Sequence, residues 1–284
     1  MLAPLSSPEP SRESPPPITD PGGRRHGGAS RREEEHVVLL DALEQNWVEL
    51  GYRQELAAYH GACRWRSART VLDARAGNGR YLSEIARRFP DKRYFGVESD
   101  RALLERALMR YAWQGIDLEC LALTAVSGRY DAVILRSLVR MRPCTRATLD
   151  LVADVTNVGG SAFIIEPLGA QRHFEPTPRR VTEFLTAFDE LHGPTAGAAQ
   201  SLAPLARSHP AWNPSVTLDV VVPSTVADNL SLFEETYGLT FELAERTRTL
   251  RTDYRSLHEE WRWWCGQENR YTQAALRIIR LDRI

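Results

Sequence analysis

Asp73, Gly77, Asn78 and Gly79, with a second acid at Glu98, are the residues of this 284-residue chain whose types and spacing suggest chemistry. In "VLDARAGNGRYL" (71–82) an apolar run ends in an acid, turns through two glycines and enters a helical pattern. Glycines let backbone pass close to a ligand, and the start of the following helix offers free N–H groups. Glu98 ends the next apolar run, 19 residues past Gly79 (98 minus 79). That is close to the spacing of about 20 for a carboxylate that accepts both hydroxyls of a ribose. The arrangement is that of a turn for a nucleotide-like ligand.

Arg75 stands out, a long cation where a small residue is expected. Three readings are open. The guanidinium turns to solvent, it pairs fork-to-carboxylate with an acid group of the ligand, or it occupies part of the pocket and binds another anion. Arg136 and Arg140, at the end of "YDAVILRSLVR", would join Arg75 in a site for a phosphate, sulfate or carboxylate. Of the 36 basic residues only Lys92 is a lysine, so chance meetings of guanidinium groups are also expected. Glu166, before Pro167, is either a general base or the partner of a nearby arginine. His173 is the best placed of the seven histidines to take a proton, and a surface residue otherwise.

Other chemistry is excluded by composition. A Schiff-base lysine or a G-x-x-x-x-G-K-[ST] phosphate loop needs a lysine in a specific place, and Lys92 sits in the turn "PDKRY". Cys63, Cys120, Cys144 and Cys265 form no C-x-x-C pair, which predicts no metal site and fits a reducing cytoplasm. A net charge of −1 demands neither nucleic acid nor an anionic membrane. No apolar run is long enough to span a bilayer, and the N-terminus does not read as a secretory signal.

The elements that must position these residues alternate. Residues 1–32, rich in Pro, Ser, Gly and Arg, read as a disordered tail. Residues 33–66 read as two helices: Leu40, Leu43, Trp47 and Leu50 recur at helical spacing up to Gly51, and a second helix runs from Arg53 to His60. From 67 to 284 the chain reads as an α/β domain. Strands are expected at 70–74, 94–98, around "DLECLAL", at 130–135 and at 161–166, with helices between them, which argues for a parallel sheet covered on both faces. Residues 169–214 read as an insertion with a helix from Arg179 to Leu191, and strands return at 216–223 and 274–281. The cluster "EEWRWWC" (259–265) reads as core or interface, or as the wall of an apolar site.

Over residues 70–167 the chain resembles the class I S-adenosylmethionine-dependent methyltransferases. Their first motif, D-x-G-x-G-x-G, stands here as Asp73-Ala74-Arg75-Ala76-Gly77-Asn78-Gly79, with Arg75 in place of the first glycine. "FGVESD" is similar to the second motif, with Glu98 as the ribose acid, and "NVGGSAFIIEP" to the turn and fifth strand. The resemblance implies a Rossmann-like seven-stranded methyltransferase sheet with its last strand antiparallel, N-terminal helices, and a lid at 169–214. It also implies S-adenosylmethionine held by Asp73, Gly77, Asn78, Gly79 and Glu98, and a small-molecule substrate. "LRSL" (135–138) replaces the [DN]-P-P-[FY] of enzymes that methylate base amino groups. Two further readings stay open. One is the same fold with the cofactor lost and an anion bound at Arg75, Arg136 and Arg140 for elimination or cyclisation. The other is a non-catalytic subunit of a partner protein or homo-oligomer.

Overall fold

The structure, a computed structural model, describes residues 31–60, 63–136, 146–192, 202, 204–226 and 228–284. The tail before Arg31, Arg140 and part of the 169–214 insertion therefore lie outside the described residues.

The chain opens with one long helix, α1 (Arg31–His60), and a short one, α2 (Cys63–Ser67). Gly51 was expected to end a helix, and α1 runs through it. A Cβ at Gly51 would stand 2.7 Å from Glu55 Oε1 and 3.0 Å from Leu276 Cδ1. The glycine lets the helix lie close against the sheet, which offsets a propensity cost of about 1 kcal/mol. Strands and helices then alternate: β1 (Thr70–Asp73), α3 (Arg80–Arg88), β2 (Arg93–Val97), α4 (Arg101–Tyr111), β3 (Ile116–Glu119), β4 (Tyr130–Arg136), α5 (Arg146–Asp154) and β5 (Thr156–Pro167). After them come β6 (His173–Glu175), α6 (Arg179–His192), β7 (Trp212–Pro223), α7 (Asn229–Thr247), α8 (Tyr254–Cys265) and β8 (Tyr271–Arg283).

β3, β2, β1, β4 and β5 pair in that order, all parallel. β8 pairs antiparallel with β5, with Ile164 opposite Ile279, and β7 pairs antiparallel with the other edge of β8. This is a Rossmann-like sheet, five parallel strands followed by the antiparallel β8. It holds eight strands rather than seven because the insertion adds β6, which continues along the β8 edge that β5 leaves, His173 facing Gln273. β5 is also longer than expected. It takes in "NVGG", and Thr156 pairs with Tyr130 across an irregularity in β4.

Side chains alternate along the buried strands. Phe163 and Ile165 join a core with Tyr59, Trp65, Leu82 and Ile85 on one face of the sheet. Ala162 and Ile164 join Leu72, Val133 and Leu149 on the other. A third core, with Phe184, Phe233, Phe241, Trp261 and Trp264, lies among α6, α7 and α8. Trp261 and Trp264 stack at 5.1 Å while Trp263 faces out, as spacing of three on a helix requires. Lys92 is buried, its ammonium donating to Ala68 O at 2.9 Å beside the Trp65 ring.

Candidate active site

Parallel pairing of β1 with β2 and β4 brings the carboxyl ends of three strands side by side, where open α/β sheets bind ligands. Asp73 ends β1 at 1 % exposure, and its Oδ1 accepts the Arg75 backbone N–H at 3.1 Å. The chain then turns through Gly77 (φ +52°) and Gly79 (φ +76°), a left-handed backbone that favours glycine. A Cβ on Gly79 would stand 2.9 Å from Ala107 Cβ, so this glycine also lets the turn approach α4. The Gly77 N–H donates to Glu98 Oε2 at 3.0 Å, and Glu98 Oε1 accepts the Asp100 N–H at 2.8 Å. Glu98 thus ties the glycine turn to the start of α4.

Helix α1 roofs this turn. Glu44 Oε2 accepts the Asn78 backbone N–H at 2.7 Å, and Asn78 Nδ2 donates to Asp41 O at 3.0 Å and Asp41 Oδ1 at 2.9 Å. Asp41 in turn accepts from Arg106 at 3.1 Å and from both ends of Arg110 at 2.7 Å. His36, Leu40, Leu43, Glu44 and Trp47, spaced three and four apart, line a cavity of about 610 Å³ that Asp73, Arg75, Ala76 and Asn78 bound on the turn side.

Two of the sequence-predicted arginines are described here, and they differ. Arg75 lines the cavity. Arg136 lines it too, but its guanidinium grips the fully buried Glu55 of α1 with two bonds, at 3.2 and 3.0 Å, and lies over the Tyr81 ring at 4.1 Å. Burial opposes its charge, and Glu55 and Tyr81 outweigh burial, so Arg136 is held protonated. Burial raises Asp73 to about 7; the Arg75 N–H and Arg136 oppose the rise, and Glu44 and Glu98 add to it. Burial likewise raises Glu44, against the pull of Arg75 and the Asn78 N–H.

The far end of the cavity is walled by Leu185 and Phe188 of α6 and by Tyr237, Thr240 and Leu243 of α7. Arg172, just before β6, donates to Asp189 Oδ2 at 2.8 Å there, and a Cβ on Gly169 would stand 2.1 Å from that oxygen. Glu166 is buried but is not among the described cavity residues; its neighbours Ile165 and Pro167 are, as alternation along a strand dictates. His173 is 48 % exposed, its Nε2 3.0 Å from Glu175 Oε1, and it too is absent from the described lining. Sequence reasoning missed Asp41, Glu44, Glu55, Arg172 and Asp189. The helical stripe that carries Glu44 is visible in the sequence; the surface it packs on is not. Among the described residues no cluster of three or more His, Cys, Asp or Glu is arranged to hold a metal ion, and no helix is long and apolar enough to cross a membrane.

No protein-family model and no curated protein matches the chain. Among solved structures, "StiE O-MT residues 961-1257" is 12 % identical over 82 % of this chain and 74 % of its own, with a TM-score of 0.48. The O-methyltransferase from a trans-AT PKS multienzyme of Brevibacillus brevis, in complex with S-adenosyl-L-homocysteine, is 15 % identical over 92 % and 82 %, at 0.48. Geranyl diphosphate C-methyltransferase from Streptomyces coelicolor A3(2) is 17 % identical over 76 % and 70 %, at 0.44.

Proposed function

We propose that this chain is a cytoplasmic S-adenosylmethionine-dependent methyltransferase acting on a small molecule. The observation that carries the reading is the charge balance at the glycine turn. Asp73, Glu44 and Glu98 converge on it, and Asp73 and Glu44 hold their protons more tightly than usual. Of the described arginines beside them, Arg136 is committed to Glu55, which leaves Arg75. A buried surplus of carboxylate favours a cationic ligand over an anionic one.

The residues present fit that cofactor. Glu98, like Gly77 and Gly79, is absent from the described lining, and both its oxygens accept backbone N–H groups; in this reading it shapes the turn and meets the ribose hydroxyls through the lone pairs left on each oxygen. Glu44 and Asp73 suit the ammonium and sulfonium charges, and Arg75 suits the carboxylate. The bound cofactor would supply an electrophilic methyl group. The chain's own part is to exclude water beneath α1 and α6, the latter serving as a lid, and to hold the acceptor in line. With Glu166 and His173 outside the described lining, positioning carries the chemistry in this reading.

Calorimetric titration with S-adenosylmethionine tests it. The expected result is binding in the micromolar range, weakened about tenfold or more in Glu98→Ala, as loss of a charged hydrogen-bonding partner entails. No binding of the nucleoside, with binding of sulfate that Arg75→Ala abolishes, would overturn the reading.

A further inference from the structure

Helices α1 and α7 lie side by side and antiparallel. Trp47 meets Tyr237 edge-on at 6.4 Å, Leu39 and Leu43 cluster with Leu243, and Glu35 pairs with Arg246 at 2.7 Å. The cavity follows this seam, from Trp47 and Tyr237 at one end to His36 and Thr247 at the other. On either helix that stretch is about 15 Å long at the rise of an α-helix. The chamber is therefore elongated, and Glu44 sets the glycine turn against it part-way along.

Away from the turn the wall is aliphatic: Leu40, Leu43, Leu185, Leu191 and Leu243, with Phe188. The polar side chains on that stretch are bonded within the protein. The Thr240 hydroxyl donates to Thr236 O and the Thr247 hydroxyl to Leu243 O, each at 2.8 Å. Thr249 Oγ1 meets Thr247 Oγ1. Arg172 donates to Asp189 Oδ2 at 2.8 Å, and the Tyr237 hydroxyl is enclosed between Arg172 and Thr272. A polar group placed there would lose its hydration with little in return, whereas hydrocarbon would gain. His36, half-buried, and Leu191, 56 % exposed, stand at the rim.

We infer that this part of the cavity takes an acyclic hydrocarbon chain, the tail of an amphipathic acceptor. Its reacting head lies at the glycine turn, and its far end reaches the rim at His36 and Leu191. A chain is specified by the shape of the chamber, since a compact ring would leave water against leucine along the rest of the seam. The inference rests on the reading of this cavity as a methyltransferase site, and names the class of acceptor that would enter it.

Calorimetric titration of the full-length protein with butanol, hexanol and octanol, with no cofactor added, tests it. Each alcohol should bind at one site per chain, with affinity rising about fourfold per methylene, as full burial of each one entails. Cyclooctanol, the same carbons closed in a ring, buries less of the seam and should bind about tenfold more weakly than octanol. Leu191→Asn changes an exposed residue, so the thermal midpoint should stay put. Its octanol-to-butanol affinity ratio should fall about threefold or more. An affinity that does not rise with chain length, cyclooctanol binding as tightly as octanol, or a ratio unchanged in Leu191→Asn would each overturn the inference. Since the titration needs no S-adenosylmethionine, the chain preference and the cofactor reading fail separately.

Discussion

Glu44 and Gly77 share one position. A Cβ on Gly77 would lie 2.0 Å from Glu44 Oε2, the oxygen that accepts the Asn78 N–H at 2.7 Å. The absence of a side chain at Gly77 is therefore what lets helix α1 rest a carboxylate on the turn. Gly77→Ala should destabilise the protein by about 3 kcal/mol, from left-handed backbone strain plus loss of a charged hydrogen bond. In a Glu44→Ala background the same change should cost only the backbone part, about 1–2 kcal/mol. Urea unfolding of the four variants measures the coupling, and equal costs in both backgrounds would refute it.

Asp73 makes stability fall as pH rises. Its folded pKa is raised from 3.8 to about 7 by burial, so the folded state holds a proton the unfolded state has lost. There is no penalty below the unfolded value. It grows between pH 4 and 7 and is complete above, worth up to about 4 kcal/mol. Asp73→Asn should flatten this decline. Comparing urea midpoints of parent and variant at pH 5 and 7.5 checks the sign: the variant should gain on the parent at the higher pH.

Glu55→Gln should be costly although Glu55 touches no solvent. It leaves the Arg136 guanidinium, which Glu55 holds at 3.0 Å over the Tyr81 ring, as a buried charge without its counter-ion. A loss of about 3–5 kcal/mol is expected by thermal or urea unfolding. Replacing both partners by leucine should recover most of it, since the loss comes from the stranded charge rather than from the pair.

Asp41 fastens α1 to α4. Burial opposes its ionisation, and hydrogen bonds from Arg110 and Asn78 outweigh it, so its pKa is lowered. Its stabilisation is present above the unfolded value of 3.8 and is lost as pH falls through the folded one. Asp41→Asn should cost about 2 kcal/mol and speed amide exchange over residues 36–48 more than in β4 or β5. Uniform acceleration across the chain would show that Asp41 does not hold the roof in particular.

The alternation of strands and helices, the glycine turn and the acid that follows β2 were legible in the sequence because each depends on short-range pattern: apolar periodicity, turn residues, and a fixed reach from one strand end to the next. The same locality explains the misreading of Gly51. A glycine after a helical stripe signals a terminus, and only the approach of Leu276, 225 positions later in the chain, makes it a packing contact.

The character of the site was not local. Which arginine stays available depends on Glu55, 81 residues from Arg136. Which carboxylates crowd the turn depends on α1 lying over it, 34 residues before Asn78 at Glu44. Whether Arg172 or His173 meets the cavity depends on Asp189 and on where β6 joins β8. By itself the sequence determined a glycine turn between an acid-ended strand and a helix, at the carboxyl end of a parallel sheet. Only the tertiary structure decided its charge, because a buried ionisable group takes its state from the partners that packing brings to it.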